Sequence, residues 1–256
     1  RCGGTVAEIA GHKAGIIKPG IPVVTAARGE ALDVIRETAV RHNAPLYVLG
    51  RDFHTDLVGY EAYRQQIAVV TSKNGDLGRF EMNLLGGHQA ENGALAIMAA
   101  LVLAEKESKI TLESVREGLA SACWPGRFEV VPGRPVTIID GAHNPDGALR
   151  LRAALDKFFA GQTVVFVLGI LADKDITSIT GKLIRASDSV VTVRPPSDRA
   201  ADPAAVAAKI QAEQVVSAAT IAEGLNRARE MAGPNGLVCV AGSLYLIGAA
   251  RPLIIK

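Results

Sequence analysis

The chain has 256 residues, with 28 lysines and arginines against 26 aspartates and glutamates and 48% hydrophobic content. That balance excludes intrinsic disorder, which needs few apolar residues and a large net charge, and leaves enough chain for one large or two medium domains. No run of about 18 uncharged apolar residues exists, which excludes a membrane-spanning helix. The longest apolar helix candidate, 94–104, runs into Glu105-Lys106-Glu107. Three cysteines, Cys2, Cys123 and Cys239, are scattered without metal-like spacing and fit no disulfide framework, so a cytoplasmic location is expected. Neither half carries a Lys/Arg stripe with clustered aromatics, so nucleic acid is not an expected partner. The chain starts with Arg1 rather than Met and shows no secretory signal, so it is expected to begin inside a longer product or after processing.

Short β-branched runs alternate with longer Ala-rich amphipathic stretches. The pattern predicts a strand over 21–25, a helix over 30–42 and a second strand over 45–49. A β-pair follows at 66–72 and 79–85, joined by the turn-forming Asn74-Gly75-Asp76. Two helices are predicted over 88–105 and 111–122, the second capped near Thr111.

Cys123-Trp124-Pro125-Gly126 interrupts the helical pattern and is the best boundary candidate, dividing the chain into 1–124 and 125–256. Beyond it, strands at 136–140, 163–168, 189–193, 214–217 and 237–241 alternate with helices at 145–159, 175–186, 203–213 and 219–231. Near-continuous apolar strands such as Val164-Val165-Phe166-Val167-Leu168 belong to a parallel sheet covered on both faces, so the C-terminal half reads as a doubly wound α/β domain.

No phosphate loop of the Gly-x-x-x-x-Gly-Lys-Ser/Thr type is present, nor a dinucleotide fingerprint, a zinc helix or a nucleophile elbow. A self-contained NTPase or dehydrogenase is therefore disfavoured. The most informative local string is Asp140-Gly141-Ala142-His143-Asn144-Pro145, where a buried strand ends and a helix begins at a proline suited to the first helical position. Ligands of open α/β sheets bind beyond such carboxyl ends, which places Asp140 and His143 at a crevice. The competing explanation makes Asn144 a helix cap and His143 an ordinary loop residue.

Three further positions carry possible chemistry. Arg127, just past the boundary, has a fork suited to phosphate oxygens and could reach one in an interdomain cleft, or could form a salt bridge with Glu129 or another carboxylate. Gly87-His88-Gln89-Ala90-Glu91-Asn92 opens a helix, whose free N–H groups favour anions, although His and Asn are also ordinary first-turn residues. Lys13 lies among apolar neighbours; desolvation would lower its pKa and allow a carbamate that binds Mg²⁺, whereas an exposed lysine would do neither.

Taken in order, these strings resemble the folylpolyglutamate synthase/dihydrofolate synthase branch of the Mur ligase superfamily. The matches are Ile9-Ala10 with Lys13-Ala14-Gly15-Ile16-Ile17-Lys18-Pro19-Gly20, then Gly87-His88-Gln89 with Asn92, then Pro125-Gly126-Arg127-Phe128-Glu129. Asp140-Gly141-Ala142-His143-Asn144-Pro145, Leu171-Ala172-Asp173-Lys174-Asp175 and Gly242-Ser243-Leu244-Tyr245-Leu246 complete the series across essentially the whole chain.

The resemblance implies an α/β protein: residues 1–124 as the C-terminal portion of a central P-loop ATPase domain, and 125–256 as a Rossmann-like doubly wound domain, with ATP held between them. It implies ATP contacts from Asn92 near the base, Arg127 at the phosphates and Asp140 at the ribose. Lys13 matches the lysine that family members carbamylate, a metal ligand in that form. His143 would lie where the incoming amino acid meets the activated carboxylate, with Ser243 a weaker candidate for the same pocket. The implied reaction is ADP-forming ligation of L-glutamate to a folate or dihydropteroate carboxylate through an acyl phosphate, using ATP and Mg²⁺. Alternatives are another Mur-type acid–amino-acid ligase or a non-catalytic nucleotide-binding module. The family's phosphate loop and the remaining Mg²⁺ ligands would lie upstream of residue 1, so the chain alone is expected to be inactive. His12 stands where the family usually has glutamate. A complete protein of this type is expected to be monomeric and to act without a membrane.

Overall fold

The computed structural model of the chain describes residues 4–107 and 109–255; Cys2 lies outside the described residues. The chain divides into two compact units. The first comprises residues 1–83 and 87–122, the second 84–86 and 123–256.

In the first unit, helix α1 (Val6–Ala14) starts at a capping box, Thr5 accepting from the Glu8 backbone and Glu8 accepting in return. Strands β1 (Val23–Thr25) and β2 (Leu46–Val48) pair in parallel around helix α2 (Gly29–Arg41). Ala14, Ile17, Ala39 and Ala44 are buried together, with Val23, Val34, Ile35 and Leu46 packed against them. A three-stranded antiparallel meander follows, β3 (Phe53–Glu61), β4 (Arg64–Thr71) and β5 (Gly75–Met82). The predicted pair is its β4 and β5, joined by a turn at 72–74 in which Thr71 Oγ1 accepts the Asn74 N–H.

The meander's burial alternates along β4, with Gln65, Ile67, Val69 and Thr71 inward, as a half-buried strand requires. Helix α3 (Gly87–Ala104) brings Gly93 against Ile67 and Met82, where a Cβ would stand 3.2 Å from both side chains. Helix α4 (Leu112–Ser121) is capped by Thr111 and Ser114. Its Arg116 donates to the carbonyls of Leu77 and Arg79 and lies over the Phe80 ring at 4.4 Å, which ties the helix to the edge strand. No described helix is long and apolar enough to cross a membrane.

The second unit is a six-stranded sheet in the order β10-β9-β8-β11-β7-β6. Its strands are β6 (Glu129–Val131), β7 (Val136–Ile139), β8 (Val164–Leu168), β9 (Ser189–Thr192), β10 (Gln214–Ser217) and β11 (Leu237–Ala241). All neighbouring pairs are parallel except β6 with β7, so an antiparallel edge strand is added to the expected parallel sheet. Helices α5 (Pro145–Phe158) and α6 (Ile176–Leu183) pack on each other, as do α8 (Ile221–Ala232) and α9 (Leu244–Ile254). Val165, Val167, Val191, Val193, Val238 and Val240 share one core with Leu225 of α8 and Leu246 and Ile247 of α9. The intervening Phe166, Val190 and Cys239 point to the opposite face and are equally buried, which is why these strands read as unbroken apolar runs.

Two helices are shorter than predicted. Helix α7 (Pro203–Ala207), capped by Asp202, fills only the start of the predicted run, and at the run's end the Glu213 N–H donates to the Asp188 carbonyl at the sheet. Helix α6 ends at Leu183 because Asp188 Oδ2 takes the Arg185 N–H at 2.8 Å. Asp188, 1% exposed, also accepts from Val164 N–H and from Arg152 Nη1, both at 3.0 Å. Arg152 in turn pairs with Asp156, which also takes Arg185.

Removing one partner of a buried pair strands the other charge. Arg152→Ala is therefore expected to destabilise the second unit by about 3–5 kcal/mol, seen as a lower urea midpoint by circular dichroism. An unchanged midpoint would mean that the backbone donors alone satisfy Asp188.

Candidate functional site

The site of the second unit is built at the carboxyl end of β7. Asp140, the first residue past the strand, is held to the sheet by its N–H donating to the Val240 carbonyl. Its carboxylate points inward. Oδ2 accepts the Phe128 N–H and Oδ1 the Ala142 N–H, both at 2.8 Å. The Gly141 N–H donates to the Gly126 carbonyl, also at 2.8 Å. One side chain and one peptide group thus lock the 126–128 turn to the 140–142 loop.

Burial pushes the Asp140 carboxyl above its ordinary value, opposed first by the two backbone N–H donors and then by the charges of Arg127 and His143. Arg127 and His143 therefore both lie close enough to Asp140 to act on its ionisation. Each carboxylate oxygen keeps a second acceptor position, the arrangement a sugar hydroxyl needs.

Arg127 projects from a tight turn and is exposed. Among the described residues its guanidinium has no hydrogen bond or ion pair. The alternative salt bridge to Glu129 is not formed, because Glu129 is taken by Arg251 from α9: Arg251 Nη2 reaches Oε1 at 2.9 Å and its Nε reaches both oxygens at 3.1 Å. Sequence reading could not have found Arg251, which stands 122 positions from its partner and carries no local motif.

His143 is half-buried, and its Nδ1 lies 2.7 Å from the Gly141 carbonyl. A carbonyl only accepts, so Nδ1 carries the proton and Nε2 is left as the acceptor of the neutral ring. Asn144 caps α5 through the Gly147 N–H at 2.7 Å, with Pro145 at the first helical position. The capping explanation of Asn144 thus holds and sets the orientation of its neighbour.

Ser243 is buried, and its Oγ accepts the Leu246 N–H as the cap of α9. Next to it, Gly242 donates its N–H to the Ala142 carbonyl and adopts φ +110°; a Cβ there would stand 2.7 Å from the Gly169 carbonyl oxygen. The ends of β7, β8 and β11 meet at this glycine. On the same side, Asp173 pairs with Lys174 at 3.5 Å and with Arg199 at 3.4 Å. Cys239, fully buried in β11, has its thiol pushed well up by burial and then by the Asp140 charge, which leaves it inert.

The first unit holds the other two predicted residues, and no hydrogen bond or ion pair joins them. Asn92 lies on the exposed face of α3, its Nδ2 donating to Gln89 Oε1 at 3.0 Å. Lys13 lies at the end of α1 and is exposed, as is His12. Of the two readings of Lys13, the exposed one describes this chain: its apolar neighbours Ala10, Ala14 and Ile17 are buried while the lysine faces solvent. Among the described residues no group of three His, Cys, Asp or Glu side chains could hold a metal ion.

Known proteins share this architecture. Residues 126–244 match the family model "Mur ligase, glutamate ligase domain". The chain is 34% identical to the folylpolyglutamate synthase of Lacticaseibacillus casei, over 99% of the chain and 58% of that protein. It is 35% identical to a "probable bifunctional folylpolyglutamate synthase/dihydropteroate synthase" of Haloferax volcanii, over 97% of the chain and 30% of that protein. A structure of Mycobacterium tuberculosis folylpolyglutamate synthase complexed with ADP superposes with a TM-score of 0.85 at 28% identity, covering the whole chain and 60% of that one. Residues 126–244 of the second unit are thus similar to the Mur ligase, glutamate ligase domain. Over nearly its whole length the chain is similar to folylpolyglutamate synthases, and it spans less than two thirds of the length of these relatives.

The raised pKa of Asp140 has a signed consequence. Its folded value lies above its unfolded one, so the folded state binds more protons in between, and ionisation costs stability as pH rises through that interval. The stability of the wild type minus that of Asp140→Asn is expected to fall as pH rises above the ordinary aspartate value and then to level off. Urea titrations from about pH 3.5 to about pH 7 read the difference; a flat or rising difference would contradict a desolvated carboxyl.

Proposed function

We propose that this chain supplies the ADP-forming, glutamate-adding machinery of a ligase acting on the carboxylate of a folate or dihydropteroate. Residues 1–124 are the C-terminal portion of its ATP-binding domain and 125–256 its ligase C-terminal domain. The family match beginning at residue 126 supports this division. Cytoplasmic residence and a monomeric state belong to the same proposal and rest on the family resemblance.

In the proposed reaction an acceptor carboxylate oxygen attacks the γ-phosphorus of ATP, and the bond to ADP breaks. The glutamate nitrogen then attacks the acyl carbon, phosphate leaves, and the nitrogen loses its proton. The single observation that carries this reading is the unpaired Arg127 guanidinium, held beside an Asp140 whose two oxygens each take one backbone N–H. A free cation on a fixed turn suits phosphate oxygens, and a cation aimed at developing phosphoryl charge lowers the barrier. Asp140 retains acceptor positions for ribose hydroxyls. His143, its Nδ1 proton committed to Gly141, offers Nε2 to take the proton from the incoming amine. Asn92 is assigned to the base and Ser243 to the amino-acid pocket by motif.

Lys13 is assigned to the metal by motif alone, since its exposure leaves carbamylation without a desolvating surround. The roles given to Arg127, Asp140 and His143 do not run through Mg²⁺, and among the described residues no group of three His, Cys, Asp or Glu side chains could hold it.

In the full-length protein, Arg127→Ala is expected to lower ATP turnover at least tenfold, as loss of a charge-assisted contact of about 1.5–3 kcal/mol requires. Turnover is read as ADP release that needs both glutamate and either dihydropteroate or tetrahydrofolate. Unchanged kinetics would remove Arg127 from the site, and release with only a UDP-muramyl peptide as acceptor would sink the folate assignment.

A further inference from the structure

We propose that Glu129 and Arg251 are positioning residues that keep Arg127 free for its anionic ligand, an inference that rests on the reading of Arg127 given above. The turn carrying Arg127 is costly by itself. Gly126 adopts φ +72° and Phe128 φ +45°, a conformation that disfavours a residue with a side chain. The fold holds it by engaging its backbone groups. The Arg127 N–H donates to the Trp124 carbonyl, and the Phe128 N–H goes to Asp140. The Phe128 ring is buried against Phe158 and Phe159, with centroids 5.9 and 6.3 Å away. The Gly126 N–H donates to Glu129 Oε2 at 2.9 Å.

Glu129 is thus an internal strut of the turn, and Arg251 grips it as a fork from the last turns of α9. The Glu129 side chain is 14% exposed, unlike Glu91 in the surface pair with Arg28, which is 40% exposed. Such a partly buried, forked pair is fixed in a way that a surface pair is not.

The pair has a second effect. Glu129 stands two residues from Arg127 and is the carboxylate that shares its turn. With both oxygens engaged by Arg251, Glu129 cannot draw the Arg127 guanidinium onto itself. Without Arg251, a half-desolvated carboxylate would be left beside a free guanidinium, and the two would pair. Arg127 would then be withdrawn from a phosphate while the fold remained intact. Arg251 therefore keeps the site cationic from α9 by acting through Glu129.

Calorimetric titration of the full-length protein with ADP tests this, using Arg251→Ala, Glu129→Gln, their double variant, Arg127→Ala and Arg127→Ala/Arg251→Ala. Arg251→Ala is expected to weaken ADP binding about tenfold. Adding Glu129→Gln to it should recover most of that loss, because a neutral amide no longer captures Arg127 yet still accepts the Gly126 N–H. On the Arg127→Ala background, Arg251→Ala should cost nothing further. Wild-type affinity in Arg251→Ala, absence of rescue by Glu129→Gln, or losses that add to those of Arg127→Ala would each overturn the inference while leaving Arg127 in the site. Unchanged affinity in Arg127→Ala would instead remove the reading of Arg127, and the clamp with it. Should Arg251→Ala not fold, Arg251→Lys carries the same comparison, since it keeps the charge and lacks the planar fork.

Discussion

The arrangement of the second unit depends on one carboxylate. Asp140 sits where β7 leaves the sheet, and its two oxygens are each taken by a backbone N–H, one from Phe128 and one from Ala142. Those two bonds, with Gly141 N–H to Gly126 carbonyl, fix the loops that carry Arg127 and His143 to each other. Desolvation opposes the charge while the two donors and the neighbouring Arg127 support it. A neutral amide at this position could accept only one of the two donors, so the site is specified by an acid although its ionisation is costly.

From that constraint the rest follows outward. The 126–128 turn tolerates positive φ at Gly126 and Phe128 because its donors are satisfied and the Phe128 ring is buried. Arg127, between them, is the group left unbound. On the other loop, His143 is oriented by Gly141 and by the start of α5, which Asn144 caps. Gly242 brings the end of β11 close to Gly169, so that the loops after β7, β8 and β11 share one edge of the sheet, where open α/β folds place their ligands. At the opposite end of the sheet, the buried Arg152–Asp188 network anchors α5 and α6 without touching this edge.

Much of this was legible in the sequence because it rests on local physics. The strand Val164–Leu168 is apolar at every position and could only be a doubly covered strand. The caps at Thr111 and Asn144 are signalled by residues within three positions of the bonds they make. Strand β3 was not legible: Asp56 and Gly59 interrupt its pattern, and its register shifts near Gly59. Helix α9 was missed because it has almost no polar face and carries Pro252 inside it. Strand β6 is only three residues long. At the site, the family motifs marked Asp140 and His143 but not what Asp140 bonds to, since Phe128 is twelve positions away. The surroundings of Lys13 were open in the sequence because apolar neighbours along the chain need not surround a residue on a helix.

The most direct measurement is a crystal structure of the full-length protein with a non-hydrolysable ATP analogue. The Arg127 guanidinium is expected within hydrogen-bonding distance of a phosphate oxygen, with Glu129 still gripped by Arg251 and Asp140 still holding Phe128 and Ala142. Phosphates bound away from Arg127, with that side chain in solvent or paired to Glu129, would contradict it.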